Sequence, residues 1–224
     1  MDRKNTPPPP TSPFNTVFFD WDGCLADSLE VWIRVIQEGL EEYGITGIPR
    51  KDVIRYTMVK FDNVDKLGIE NPREFGTAIN RKFAERIEEI TLSPFARETL
   101  EELRMQGKKI VLITTSGRLA INRCIETFSL QNYFDATITY DDVERHKPDP
   151  EGILKGLTAT SSLPENAIIV GDTRNDILAG KAAGIRTVMY FPESHEDIYE
   201  KDHLLALNAD YYLRNLRELL RIVR

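Results

Sequence analysis

Short apolar runs alternate with longer amphipathic periods along this chain, and the two patterns predict different elements. Val17-Phe18-Phe19 is β-prone and wholly apolar, then stops at the acidic, glycine-containing stretch Asp20-Trp21-Asp22-Gly23. That pattern predicts a strand buried on both faces and ending in a polar loop. After Ser28, which suits an N-cap, Leu29, Trp32, Ile33, Ile36, Leu40 and Tyr43 recur at helical spacing until Gly44 supplies a stop. A second helix is expected from about Pro49. A third has Asn71 as cap, Pro72 in its first position, and Phe75, Ile79, Phe83, Ile87 and Ile90 along one face. Residues 29–92 therefore read as wholly helical.

From Ser93-Pro94 onward strands and helices alternate. The pattern predicts a helix to Gln106, a strand Lys109–Thr114, a helix around Leu119–Phe128 and a strand Ala136–Tyr140. It continues with a helix from about Pro150, a strand Ala167–Val170, a short helix to Ala183 and a strand Arg186–Phe191. Ala209–Leu213 suits an edge strand before a closing helix, Asn215–Val223. A sheet that begins near residue 16, is interrupted by helices and resumes near 93 predicts an α/β core with an inserted helical cap. The expected division is a Pro-rich disordered tail over 1–13, a core of 14–28 and 93–224, and a cap of 29–92.

With 224 residues the chain suits one main domain plus an insertion. Its net charge of -7 and lack of a long basic run argue against a nucleic-acid partner, and no apolar run approaches membrane-spanning length. Cys24 and Cys124 make no disulfide framework, and the N-terminus lacks the apolar core of a signal peptide, so a cytoplasmic location is expected. A thiol-phosphatase loop would need Arg where Glu30 or Leu130 stands, so both cysteines read as small apolar residues. Composition leaves the oligomeric state open.

In an open parallel sheet, ligands bind beyond the carboxyl ends of the strands. There this chain places Asp20 and Asp22, then Thr114-Thr115-Ser116-Gly117, then Gly171-Asp172 with Asp176, and between the last two it places Lys147. So many carboxylates repel unless a hard cation binds among them, and Mg²⁺ takes oxygen ligands while keeping waters for a substrate phosphate. A hydroxyl and an ammonium can bind phosphoryl oxygens, and a carboxylate can attack phosphorus. The residue types point to phosphoryl transfer.

Phe19-Asp20-Trp21-Asp22-Gly23-Cys24-Leu25-Ala26-Asp27-Ser28 resembles the first motif of the haloacid dehalogenase superfamily, Thr114 the second, Lys147 the third, and Gly171-Asp172 with Asp176 the fourth. The inserted helices resemble the cap of its phosphoglycolate phosphatase-like and β-phosphoglucomutase-like subgroup. The resemblance implies a Rossmann-like parallel sheet in strand order 5-4-1-2-3 and an Mg²⁺-dependent phosphatase of a small phosphorylated metabolite. Asp20 would be the nucleophile and a metal ligand. Asp22 would be the general acid and base and offer its backbone carbonyl to the metal. Asp172 would complete the protein ligands, and Asp176 would hold a metal-bound water or orient neighbouring groups. Gly23, Thr114, Thr115 and Lys147 would bind the phosphoryl group. Two positions depart from the usual motif: Trp21 replaces an aliphatic residue and Cys24 a threonine.

Two rival readings stand beside this one. A phosphosugar mutase uses the same four motifs and differs in what receives the phosphoryl group. A receiver-like signalling module also phosphorylates an aspartate beside acidic ligands, but has neither a helical insertion nor a counterpart to Gly171-Asp172 through Asp176. His146, next to the motif lysine, reads as a loop residue, and His195 and His203 have no partner pattern. Trp32, Phe75 and Phe83 read as core. Arg34, Arg50, Lys51, Arg55 and Lys60 lie in the cap, where a solvated charged face accounts for most of them.

Overall fold

The computed structural model describes residues 14–58 and 61–224, so the tail expected over 1–13 and Lys60 lie outside the described residues. β1 (Thr16–Phe19) opens the core and β2 (Ala26–Asp27) leads out of it. α1 (Leu29–Glu42), α2 (Arg50–Val53), a π-helical turn (Ile54–Met58), a 3-10 stretch (Phe61–Leu67) and α3 (Pro72–Glu85) follow, and β3 (Thr91–Leu92) brings the chain back. Next come α4 (Ala96–Met105), β4 (Lys109–Ile113), α5 (Arg118–Thr127), β5 (Ala136–Ile138), α6 (Glu151–Ala159) and β6 (Ala167–Gly171). α7 (Arg174–Ala182), β7 (Arg186–Tyr190), α8 (Lys201–Leu205), β8 (Tyr211–Leu213) and α9 (Leu219–Ile222) complete the chain.

The main sheet is parallel throughout, in the order β5-β4-β1-β6-β7-β8. It contains the expected five-strand arrangement as β7-β6-β1-β4-β5, with β8 added at one edge. β1 is central: Phe19 is in register with Leu112 on one side and Val170 on the other. Alternation along the strands divides the core into two layers. Val17, Phe19, Ile110, Leu112, Ile168 and Val170 face α4, α5 and α9 through Leu100, Ile121 and Leu219. Phe18, Val111 and Ile169 face α6 and α7 through Ile153, Leu157 and Ala179. Burying each large aliphatic or aromatic side chain contributes about 1.5–3 kcal/mol. These layers fix the strand ends against one another. From β1 the chain builds outward through β4 and β5, then crosses to β6 on the other side. The carboxyl end of β1 is therefore a topological switch point, where crevices form in such sheets.

The inserted segment is not wholly helical. Thr91 and Leu92 pair antiparallel with Asp27 and Ala26, so the outgoing and returning crossings satisfy each other's backbone groups. α1 packs on α3, and the contact is close because Gly39 leaves room for Ile79, whose Cδ1 would lie 2.2 Å from an added Cβ. The predicted caps of α3 are present: Pro72 begins it, and the Asn71 side chain accepts from the Glu74 N–H at 3.2 Å. β5 stops at Ile138, short of the expected Tyr140, because Thr139 turns the chain, its N–H and hydroxyl each donating to Asp142 Oδ2 at 2.7 Å. The closing helix begins as a 3-10 turn, Leu216–Glu218, capped by Asn215. Among the described residues no helix is long and apolar enough to cross a membrane.

Candidate active site

Three strand ends supply the acidic and hydroxyl groups of the site. Asp20 follows β1 directly, and its N–H donates to Val170 O at 3.0 Å, so the backbone direction of the sheet carries into the loop. Thr114 follows β4, and Asp172 follows β6. Asp176 lies in the first turn of α7, where Thr173 and Asp176 form a capping box: the Thr173 N–H and hydroxyl donate to Asp176 Oδ2 at 3.0 and 2.5 Å. Lys147 reaches in from the connection between β5 and α6. Asp20, Thr114, Asp172 and Asp176 are all buried.

Lys147 ties two of the carboxylates together. Its ammonium donates to Asp20 Oδ1 and to Asp176 Oδ1, each at 2.6 Å, and its side chain is only 6% exposed. Burial lowers the affinity of such an amine for its proton, but Asp176 and Asp20 more than offset that, and the net shift is upward. Burial pushes the Asp20 carboxyl up to about 7 despite the opposing charge of Lys147. Asp172 is also pushed well above the ordinary carboxylate range, by burial first and then by the charges of Asp20 and Asp176.

The surroundings of Asp172 suit a cation. Both of its carboxylate oxygens are buried with only the Tyr199 hydroxyl beside them as a donor, and one hydroxyl offsets little of the several kcal/mol that burying an ionised carboxylate costs unless a cation binds. Oxygens of Asp20, Asp172 and Asp176 lie within 4.8 Å of one another. The hard, all-oxygen donor set fits a divalent cation such as Mg²⁺. Gly23 is part of the same construction. It sits at φ +75°, and a Cβ there would fall 2.3 Å from Asp172 Oδ2.

Asp22 stands apart from that cluster. Its Oδ1 accepts from the Ser28 hydroxyl at 2.7 Å and the Trp32 indole N–H at 2.8 Å, and its Oδ2 from the Ser116 hydroxyl at 2.6 Å. Ser116 also donates its backbone N–H to Thr114 Oγ1 at 3.0 Å, which leaves the Thr114 hydroxyl proton free for another acceptor. Thr115 is exposed at the mouth of a small cavity that Thr114, His146 and Lys147 also line. Thr114 and Lys147 thus share a wall with Thr115, while Asp20, Lys147, Asp172 and Asp176 form the buried cluster.

Periodicity did not single out Ser28, Trp32 or Ser116 as site residues. Ser28 occupies the cap position of α1 but makes no side-chain cap, because its hydroxyl goes to Asp22 instead. Trp32 lies on the apolar stripe and is half-buried, yet its polar edge points at the same carboxylate. His195, which the sequence pairs with nothing, also lies beside the site. It is buried against Tyr190, Phe191 and Tyr199, and its Nδ1 stands 3.9 Å from Asp172 Oδ2, beyond hydrogen-bond reach. Burial lowers the His195 imidazole to about 4, so it is neutral at pH 7. No sequence signal pairs residues 172 and 195.

The cap cations divide by partner. Arg50 pairs with Glu30, and Arg34 with Glu89. Lys51, Arg55 and Lys66 line a cleft of about 1270 Å³ together with Arg174 and Tyr199. Arg55 and Lys66 each stand 5.7 Å from the centre of the Tyr56 ring.

The family model described as haloacid dehalogenase-like hydrolase matches residues 17–190. The chain is 33% identical over 212 residues to pyrophosphatase PpaX of Halalkalibacterium halodurans, covering 93% of this chain and 96% of that one. It is 31% identical over 217 residues to PpaX of Bacillus mycoides, with the same coverage. Among solved structures, CbbY of Rhodobacter sphaeroides in complex with phosphate superimposes with a TM-score of 0.76 at 21% identity, covering 94% of this chain and 99% of that one. A β-phosphoglucomutase candidate from Thermotoga maritima gives 0.69 at 23% identity, covering 94% and 100%. At those identities the structural likeness speaks for the fold.

Proposed function

The chain belongs to the haloacid dehalogenase-like hydrolases, and from that premise we propose that it hydrolyses a small phosphorylated metabolite by way of a phosphoryl group carried on Asp20. The observation that carries this reading is the buried Asp20 carboxylate, 2.6 Å from the Lys147 ammonium and grouped with the buried carboxylates of Asp172 and Asp176. Asp20 and Asp172 would hold Mg²⁺, together with the backbone carbonyl of Asp22, with Asp176 bracing the site from beside them. The bound cation would neutralise charge on the carboxylates and on the substrate phosphate.

Asp20 attacks phosphorus while Lys147 holds one of its oxygens and draws charge from the phosphoryl group. Gly23 lets the loop backbone approach the phosphate closely, and the hydroxyls of Thr114 and Thr115 bind phosphoryl oxygens. Asp22 donates a proton to the leaving oxygen. It then takes one from the water that attacks the aspartyl phosphate, and inorganic phosphate leaves. Residues 29–92 act as the cap that selects the substrate, over a core of 14–28 and 93–224. The curated relatives are named pyrophosphatases, so pyrophosphate heads the panel to be tested, with phosphoglycolate and sugar phosphates after it. A reducing cytoplasm suits the two buried free thiols, Cys24 and Cys124.

Rapid quench with labelled acyl phosphate tests the division of labour. Asp20→Asn should abolish phosphoenzyme and turnover together, whereas Asp22→Asn should accept label from this good leaving group and then release it slowly. Label on any residue other than Asp20, or parental turnover by Asp22→Asn, would overturn the mechanism. Label that outlives many turnover times in the parental protein with Mg²⁺ would favour a signalling module over a phosphatase.

A further inference from the structure

Asp22 is held by donors from two parts of the molecule. Ser28 and Trp32 belong to the start of α1, and Ser116 follows β4 in the core. Two of the three donors are hydroxyls, which can rotate or reverse their bond. The indole N–H of Trp32 can only donate. Its ring is held from behind, stacked on Phe83 of α3 with 3.7 Å between centroids and 9° between planes, and Phe83 is itself buried. The direction of the N–H is therefore set by packing between α1 and α3, outside the sheet that carries Asp20.

We propose that Trp32 is a positioning residue for Asp22: its N–H, fixed by the Phe83 stack, orients the carboxylate for proton transfer to the leaving oxygen and thereby links cap packing to that step. The inference rests on the reading of Asp22 as the general acid and base. A free carboxylate rotates about two side-chain bonds, and a proton donor must lie within hydrogen-bond reach of the leaving atom. Ser28 and Trp32 converging on one oxygen, with Ser116 on the other, remove that freedom. The two hydroxyls can still reorient as a proton passes, which leaves the indole as the constant reference.

Trp32→Phe keeps an aromatic ring on Phe83 and removes the donor. The test compares kcat/KM for p-nitrophenyl phosphate, whose leaving group needs no proton, with kcat/KM for the best alkyl phosphate among phosphoglycolate and the sugar phosphates. Trp32→Phe should lower the alkyl-to-nitrophenyl ratio about tenfold, which corresponds to about 1.4 kcal/mol. A role confined to packing would lower both rates alike and leave the ratio unmoved, and that result would overturn the proposal. Trp32→His, which keeps a ring and a donor N–H, should restore most of the ratio even if Trp32→Phe folds poorly. An equal deficit in both variants would count against the indole N–H. Asp22→Asn, measured in parallel, separates this inference from the reading beneath it. If that variant keeps the parental ratio, the acid–base assignment falls and the positioning role with it; if it loses the ratio while Trp32→Phe keeps it, only the positioning role falls.

Discussion

Replacing Lys147 with Met removes the positive charge from the buried cluster while keeping most of the side-chain volume. The ammonium lies 2.6 Å from both Asp20 Oδ1 and Asp176 Oδ1, with the three side chains 6%, 8% and 0% exposed, so solvent screens these charges little. Removing one partner of a buried ion pair costs about 3–5 kcal/mol, because the remaining charge is left without compensation. Part of that cost can be avoided, since Asp20 is already pushed up to about 7 by burial and takes a proton readily. The low end of the range, about 3 kcal/mol, is therefore expected near neutral pH. In a chain of this size it should lower Tm by roughly 6–12 °C. The deficit should shrink as pH falls below 7, where a protonated Asp20 needs no counter-charge, and grow above it. Thermal denaturation in EDTA measures the deficit. A repeat with Mg²⁺ should show a larger rise for Lys147→Met than for the parental protein, since the added cation supplies the charge that was removed. A Tm within about 2 °C of the parent in EDTA, or equal gains with Mg²⁺, would refute the view that Lys147 is the counter-charge of the cluster.

Four further outcomes are expected. Exhaustive chelation should stop turnover and Mg²⁺ restore it, and saturation at a hundredfold excess over Kd should stabilise the fold by about 2.7 kcal/mol in denaturant titrations; full activity in EDTA would contradict this. Gly23→Ala places a methyl 2.3 Å from Asp172 Oδ2 at φ +75°, so calorimetry should find Mg²⁺ affinity reduced by about 10–100-fold, and unchanged affinity would mean that the loop and Asp172 move apart freely. Gly156→Ala puts a Cβ 2.5 Å from Phe18 Cε1 between α6 and the sheet, which should cost about 1–3 kcal/mol in urea denaturation while leaving activity per folded molecule intact. Arg55→Ala, on the cleft wall, should reorder the substrate panel more than it lowers the rate on p-nitrophenyl phosphate; equal losses on every substrate would count against a selective cap.

Local pattern was enough to read the sheet. Val17-Phe18-Phe19 and Ala167–Val170 are too short and too apolar for anything but strands buried on both faces, and Asn71-Pro72 announces a helix through capping chemistry confined to a few residues. The same pattern set the order in which the acidic segments, Thr114 and Lys147 arrive at one edge of the sheet, because parallel strands separated by helices must all end on one side. Tertiary structure decided what each polar atom meets there. Periodicity places Trp32 on the buried stripe but is blind to which edge of the ring carries the N–H, and Ser28 occupies a cap position while its hydroxyl serves Asp22. Ser116 reaches the same carboxylate from 94 positions away. Lys147 bridges Asp20 and Asp176 across 127 and 29 positions, and Asp172 is buried where β6 ends. Such contacts follow from how layers of helix pack on the sheet: hydrophobic spacing encodes which face is covered, whereas a hydrogen bond depends on ångström-scale placement that exists only once the whole core has closed.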